Sequence, residues 1–420
     1  MREDWIEIEL GEVLKLKNGF AFKSSKYRLE GIPIIRISDI NQGIVTADKA
    51  KRITENEEYN DYQVEFGDIL IAMSGATTGK FGIYKSNQKT YQNQRVGKLK
   101  LHNDKLLDKN YIYYLLYSLR QTIEKVAYGG AQPNISGKKV EALEFKLAPL
   151  PEQRAIVAKI EQLFSELDNG IANLKAAKDK LEIYRQAVLK KAFEGEWETC
   201  TVGNKFKFLG GGTPKKSIPE YWNGDIPWCS VKDVKGDFLY KTKDYITELG
   251  LKESSTNIAE IGEVILITRI SPGKSIITKI RTAINQDLKI VSPIDDYSPK
   301  FTHYLFKSIK REMLKKSNGT TVLGINLNNL KDISIPDIPE EDQNHVIEFI
   351  ESRLSICENV LANIEEGLNK SEALRQSILK QAFEGKLLSE EEVEACRAAP
   401  DWEPAEQLLE RIKNQKEGTA

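Results

Sequence analysis

The stretch Gly75-Ala76-Thr77-Thr78-Gly79-Lys80-Phe81 comes nearest in this sequence to a catalytic motif, with glycines that would free backbone N–H groups to face a phosphate and a lysine to neutralise it. A phosphate loop needs four residues between its glycines and a Ser or Thr after the lysine, whereas here three residues intervene and Phe81 follows, so nucleotide binding is excluded. Phe208-Leu209-Gly210-Gly211-Gly212 has no βαβ unit around it and no acidic residue some 20 positions on, so it reads as a turn and not a cofactor loop. Glu144-Phe145-Lys146 is a triplet that chance supplies in a chain with 29% charged residues. His102, His303 and His345 show no partner pattern, and Cys200, Cys229, Cys357 and Cys396 are dispersed without CxxC spacing, so neither acid–base work, a metal site nor a disulfide framework is indicated. The Asn/Asp-Pro-Pro-aromatic motif of amino-methyltransferases is absent. These residues describe a reader or a scaffold, not a catalyst.

Composition bounds the class. A chain of 420 residues, 40% apolar, can bury two sizeable cores. No apolar run approaches the roughly 20 residues that span a bilayer, and MREDWIEIEL has charge but no apolar signal-peptide core, so the expected compartment is the cytosol. The net charge of −1 hides an asymmetry: the chain up to residue 339 carries an excess of nine basic residues and the remainder an excess of ten acidic ones. A basic excess over the globular parts suits a polyanionic partner, and the acidic end does not.

Two near copies, 185-RQAVLKKAFEGEW-197 and 375-RQSILKQAFEGKL-387, stand 190 residues apart. Trp5 is echoed by Trp197, Gly31-Ile32-Pro33 by Asp225-Ile226-Pro227, and Ser38-Asp39-Ile40 by Lys232-Asp233-Val234. Further on, residues 66–84 match 261–278 with a one-residue gap, and Asn93-Gln94 matches Asn285-Gln286. The chain is a tandem duplication whose unit is long enough for a domain and a connector.

Each half reads as an α+β domain followed by one long helix. Short β-branched segments at Ile32–Ile40, Asp68–Met73, Arg95–Leu101, Ile226–Val231, Glu263–Thr268 and Leu288–Val291 predict strands, and Lys109–Val126 and Pro299–Lys316 each predict a helix. From Val157, apolar residues recur at alternating spacings of three and four (Ile160, Phe164, Leu167, Ile171, Leu174), and Ile347, Ile350, Leu354, Cys357, Leu361 and Ile364 repeat the seam. So narrow a stripe on so long a helix predicts a coiled coil between the duplicates, with polar interruptions at Lys178, Arg185, Ser371 and Arg375; separate packing of each helix on its own domain is the alternative. Pro149-Leu150-Pro151-Glu152-Gln153 and Pro336–Glu340 start these helices, and the Phe-Glu-Gly triplets at 193–195 and 383–385 end them with glycine in the usual C′ place. About 38 residues at ~1.5 Å each would make a rod of about 57 Å.

The tandem halves, the Pro-Leu-Pro-Glu-Gln start, the Arg-Gln-x-x-Leu-Lys-x-Ala-Phe-Glu-Gly end and the closing 404-PAEQLLERIK-413 resemble the DNA-specificity subunit of type I restriction-modification systems over nearly the whole chain. The resemblance implies two target recognition domains (residues 1–150 and 197–339), two antiparallel connector helices (151–196 and 340–387) that set a gap, and a C-terminal segment (388–420) with a short helix. It implies double-stranded DNA, two modification subunits and restriction subunits as partners. S-adenosylmethionine, ATP and Mg would belong to those partners, with no cofactor and no activity in this chain. A coiled-coil adaptor joining two protein-binding domains, without DNA, is the competing class. In the family the C-terminus closes toward the N-terminal domain; a solvated tail is the alternative.

Within that resemblance the loops 74-SGATTGK-80 and 269-RISPGK-274 are equivalent, polar and end in a lysine able to reach phosphate, which singles out Ser74, Thr77, Lys80, Arg269 and Lys274. Asn93, Gln94, Arg95, Asn285 and Gln286 carry side chains suited to purine edges. Positions alike in both halves should serve the shared fold, however, and readers of different sequences should differ where they read, which gives weight to Arg36, Trp228 and Arg269; Lys232 is a further DNA-binding candidate.

Overall fold

The computed structural model describes residues 2–41, 43–128, 133–319 and 322–417, and forms two units: Met1–Ala172 with Leu368–Ala420, and Asn173–Gly367. Both are α+β and repeat one topology. In unit 1 a six-stranded sheet runs in the order Leu14–Asn18, Val96–Leu101, Ile69–Ala72, Phe81–Tyr84, Gly43–Val45, Ile40–Asn41, beside a four-stranded sheet of Lys51–Ile53, Ile32–Ile35, Thr90–Gln92 and Gln63–Val64. Unit 2 repeats this with Phe206–Gly210, Leu288–Pro293, Val264–Ile267, Ser275–Thr278 and Phe238–Leu239, beside Asp244–Ile246, Trp222–Cys229, Thr282–Ile284 and Ile258–Ala259. The apolar strands Ile69–Ala72 and Val264–Ile267 are buried at every residue, as central strands covered on both faces must be.

Three local expectations change. The segment Ile32–Ile40 breaks after Ile35, because the Asp39 carboxylate folds back to accept the Arg36 N–H at 2.9 Å; Asp233 does the same for the Ser230 N–H at 2.9 Å. Lys109–Val126 and Pro299–Lys316 are each two helices, Lys109–Ser118 with Arg120–Ala127 and Pro299–Ser308 with Lys310–Lys315, hinged at Leu119 and Ile309, whose ψ angles near zero leave the helical range. Phe208–Gly212 is mainly the end of a strand, Phe206–Gly210, and not a turn.

The two long helices run Leu150–Ala192 and Glu340–Phe383, 43 and 44 residues. Within each unit a segment of one packs antiparallel on a segment of the other. In unit 1 Ile156, Val157, Ile160 and Phe164 share a core with Ile378, Leu379 and Ala382. Arg375 fills its seam position by lying 4.4 Å over the Phe164 ring and pairing with Asp168. In unit 2 Leu189 and Phe193 share a core with Ile350 and Leu354, and Lys178 reaches Glu365 at 3.1 Å. Two of the polar seam residues, Lys178 and Arg375, are thus answered by carboxylates on the facing helix, which specifies register at little gain in stability.

The motifs at the helix ends lock each helix to a globular core. Phe383 packs on Tyr111 at 5.2 Å and Phe193 on Phe301 at 5.5 Å, so each half of the sequence ends in the other half's core. Gln153 is fully buried, accepting the Asp108 N–H at 3.0 Å and donating to Ala148 O at 2.8 Å. Gly385 has the left-handed φ of +73° expected after a helix; Gly195 does not, and is needed because a Cβ there would stand 2.4 Å from the Trp197 indole nitrogen.

The C-terminal segment is packed and not solvated. Helices Glu390–Arg397 and Ala405–Glu417 place Val393, Leu408 and Ile412 in the core of unit 1. Arg397 pairs with Asp4 at 2.6 Å, Lys413 with Glu12 at 2.6 Å and Arg154 with Asp401 at 2.8 Å.

Candidate nucleic-acid interface

Each unit presents the same platform. The parallel strands Ile32–Ile35 and Thr90–Gln92 end side by side, with the Asn93 N–H donating to Ile35 O at 3.0 Å; in unit 2 the Asn285 N–H donates to Cys229 O at 3.0 Å. Gly19 and Gly211 cross against these ends so closely that a Cβ would come within 2.1 Å of Gln92 O or Asn285 O. Only glycine allows that approach. Asn93 and Asn285 then turn the chain, accepting the N–H of Arg95 at 3.3 Å and of Asp287 at 3.1 Å. Gln94, Arg95 and Gln286 stand exposed beyond the turn.

The loops 74–80 and 269–274 flank the platform. Gly79 and Gly273 close them equivalently, donating to Ala72 O at 2.8 Å and Ile267 O at 3.0 Å, and Lys80 and Lys274 point outward. The Thr77 hydroxyl is turned in toward Ile37 O at 3.2 Å. Gly75 has φ +83°, and its counterpart is Ile270 at φ +74°, a conformation that costs a β-branched residue of order 1–3 kcal/mol. Such strain at an exposed loop tip points to a functional constraint.

The shared register brings differing side chains to equivalent places: Arg36 and Ser230, Ser74 and Arg269, Arg95 and Asp287, Ile34 and Trp228. In unit 1 the Arg36 Nε and Ser74 Oγ are buried without a hydrogen-bond partner, although Asp39 approaches the Arg36 Nε to 3.6 Å. In unit 2 Arg269, half-exposed, lies 3.4 Å from Asp287. There a cavity of about 530 Å³ is lined by Trp228, Lys232, Ile270, Asn285, Gln286 and Asp287. Trp228 is 5% exposed, its indole N–H used by Gly212 O at 3.2 Å, so it forms a wall of the cavity. The candidates read from the sequence included Asn285, Gln286 and Arg269 but not their neighbours Asp287 and Ile270; the signal was one residue further on in each case, where Arg95 and Gly75 are replaced.

A chemical constellation also emerged that the sequence did not reveal. His303 does have partners: Nδ1 lies 2.9 Å from Ser275 Oγ and Nε2 3.2 Å from Asp237 Oδ1, the latter a charge contact without good hydrogen-bond alignment. Burial holds the imidazole below its usual pKa, with the Asp237 contact opposing. The Asp237 carboxyl is held far below its usual value, first by His303 and then by the Lys307 ammonium. Serine, histidine and aspartate are the makeup of a hydrolase triad, but Ser275 is 5% exposed within an interior strand and the Nε2–Asp237 contact lacks the aligned hydrogen bond that orients a triad histidine. Among the described residues no group of three metal-ligating side chains occurs, and no helix is long and apolar enough to cross a membrane.

Known proteins share this architecture. The profile of the type I restriction modification DNA specificity domain matches residues 2–176 and again 194–369. The chain belongs to that family. It is similar to the EcoBI specificity subunit of Escherichia coli, 24% identical across 99% of this chain and 93% of that one. The EcoR124I/EcoR124II specificity subunit, also of Escherichia coli, is 29% identical over 76% of this chain and 80% of its own length. In fold it is similar to the HsdS subunit from Thermoanaerobacter tengcongensis, at TM-score 0.57 and 18% identity, covering 92% of this chain and 98% of that chain. A second solved chain, from a study of complex assembly and conformational transition of the type I R-M system, superposes at TM-score 0.70 with 19% identity, covering 91% of this chain and 98% of the other.

Proposed function

We propose that this chain is the DNA-reading, non-catalytic subunit of a type I restriction-modification complex, each platform reading one half of a split, asymmetric site on double-stranded DNA. The observation that carries this is the duplicated platform: one backbone frame, held by Gly19 and Gly211, bears Arg36, Ser74 and Arg95 in one copy and Ser230, Arg269 and Asp287 in the other. A common frame meets DNA in one way, and different side chains select different bases, each good bidentate contact being worth about 1–3 kcal/mol. Arg95 suits a guanine edge, and Asp287 suits an exocyclic amine of cytosine or adenine.

The antiparallel long helices would act as a spacer, with half-site centres about one DNA turn, ~34–36 Å, apart. Two modification subunits would dock on this chain and methylate adenine with S-adenosylmethionine, and restriction subunits would supply ATP- and Mg-dependent cleavage, all in the cytoplasm. The test is co-expression with the modification subunit from the same genome, followed by mapping of methylated adenines. A single bipartite, asymmetric motif is expected; no methylation and no DNA protection by the assembled complex would contradict DNA reading and leave a protein adaptor.

A further inference from the structure

Unit 2 contains a second cavity, of about 350 Å³, beyond the closing glycine of the 269–274 loop. Lys307 lines it, and so do four more cations from four separate elements: Arg185 on the first long helix, Lys235 after the Asp233 turn, Lys274 at the loop end and Lys310 at the start of Lys310–Lys315. None of the four makes an ion pair among the described residues. Two carboxylates also line the cavity: Asp237 is already engaged by Lys307 at 2.8 Å and by His303, and Glu182, without an ion pair among the described residues, stands against the four unpaired cations. Like charges gathered around one cavity repel, and a bound anion is what relieves the repulsion.

The duplicate shows that the fold does not require this. Arg120 stands where Lys310 does and is neutralised by Glu124 at 2.9 Å, whereas the residue four past Lys310 is Leu314. Arg375, the counterpart of Arg185, pairs with Asp168. Asn41 occupies the place of Lys235. Beneath the cavity Ser275, His303 and Asp237 replace Phe81, Tyr113 and Gly43, so a polar floor in unit 2 stands where unit 1 has aromatic packing, Phe81 and Tyr113 being 5.9 Å apart. The unpaired Lys310 and Arg185 and the added Lys235 favour an anion in unit 2 and not in unit 1, while the one added carboxylate, Asp237, is already held by Lys307 and His303.

We propose that this cavity is a phosphate-binding site, and that on the DNA-reading assignment above it holds a backbone phosphate of the half-site that unit 2 reads. A cavity of this size takes a tetrahedral phosphate with its water, and Lys274 ties it to the loop whose Ile270 lines the reading cavity. Phosphate contacts position a reader and carry no sequence information, so the site fixes the register of unit 2 on the duplex.

The test uses the full chain assembled with its modification subunits and a duplex carrying the methylation motif, and measures the slope of log K against log salt. Lys235→Gln/Lys274→Gln/Lys310→Gln is expected to reduce the slope by about one, the share of the single phosphate the cavity holds, with base preference kept and Lys→Arg replacements restoring the slope. Arg120→Gln, already neutralised in unit 1, is expected to leave it. An unchanged slope in the triple variant, with wild-type sequence preference intact, overturns the cavity as a DNA-backbone site and spares the reading function. Absence of sequence preference in the wild-type complex overturns the reading function and this site with it. Inorganic tripolyphosphate is titrated in parallel: binding lost in the triple variant while the salt slope stays put assigns the cavity to a free phosphate compound and overturns the DNA backbone as its source.

Discussion

At the scale of single residues, the side chains that differ between equivalent positions should each act on one half-site. Arg269→Ala removes a half-exposed guanidinium next to the unit 2 cavity and is expected to weaken recognition of one half-site only, by about 1–3 kcal/mol in binding to wild-type and altered half-sites; an equal loss at both halves would rule Arg269 out as a base reader. Ile270→Gly relieves a left-handed β-branched residue and should stabilise unit 2 by about 1 kcal/mol in thermal melts while weakening DNA binding. His303 sets a pH dependence. Its folded pKa is depressed by burial, so below about pH 6.5 the unfolded chain takes up a proton that the folded unit resists, and stability falls as pH drops from there. His303→Tyr, the residue type found at Tyr113, should flatten the melting temperature between pH 7 and 5; an unaltered profile would show that another group governs it. Little of this was legible beforehand. Arg95 was singled out because its type suits a base edge, and Arg36 and Arg269 because they differ between the halves, but the burial of Trp228 and the pairing of His303 depend on strands brought together from distant sequence, which no local pattern records.

At the scale of elements, the long helices were the most legible feature, because a heptad stripe states both its own structure and the need for a partner. The motifs at their ends were read only as helix starts and stops; their second role, docking Phe383 on Tyr111 and Phe193 on Phe301, was hidden because it joins one half to the other half's core. The hinges at Leu119 and Ile309 were missed because the apolar spacing continues through them. Arg375→Leu is expected to be near neutral or mildly stabilising in thermal melts, since it replaces an ion pair and a ring contact with apolar seam packing, but to loosen the choice of helix register. Fluorescent probes at matched heptad positions of the assembled complex would detect the slipped register, and a single unshifted distance would speak against a registering role.

At the scale of the whole molecule, duplication supplies a reader and its copy, and divergence gives each its own chemistry: exposed guanidinium and orphaned polar atoms in unit 1, an acid–base pair and a cationic cavity in unit 2. The tandem architecture was plain in the sequence because the helix-end repeats are nearly identical; the differences that matter lie where the copies no longer align by eye. If the helices set the separation of two independent readers, removing one heptad from each, residues 171–177 and 365–371, keeps the seam in phase and shortens the spacer by about 10 Å, the length of about three base pairs. Mapping methylated adenines in cells carrying the shortened chain and its modification subunit should return the same two half-sites separated by a shorter gap. Altered half-site sequences, or the original gap, would contradict it.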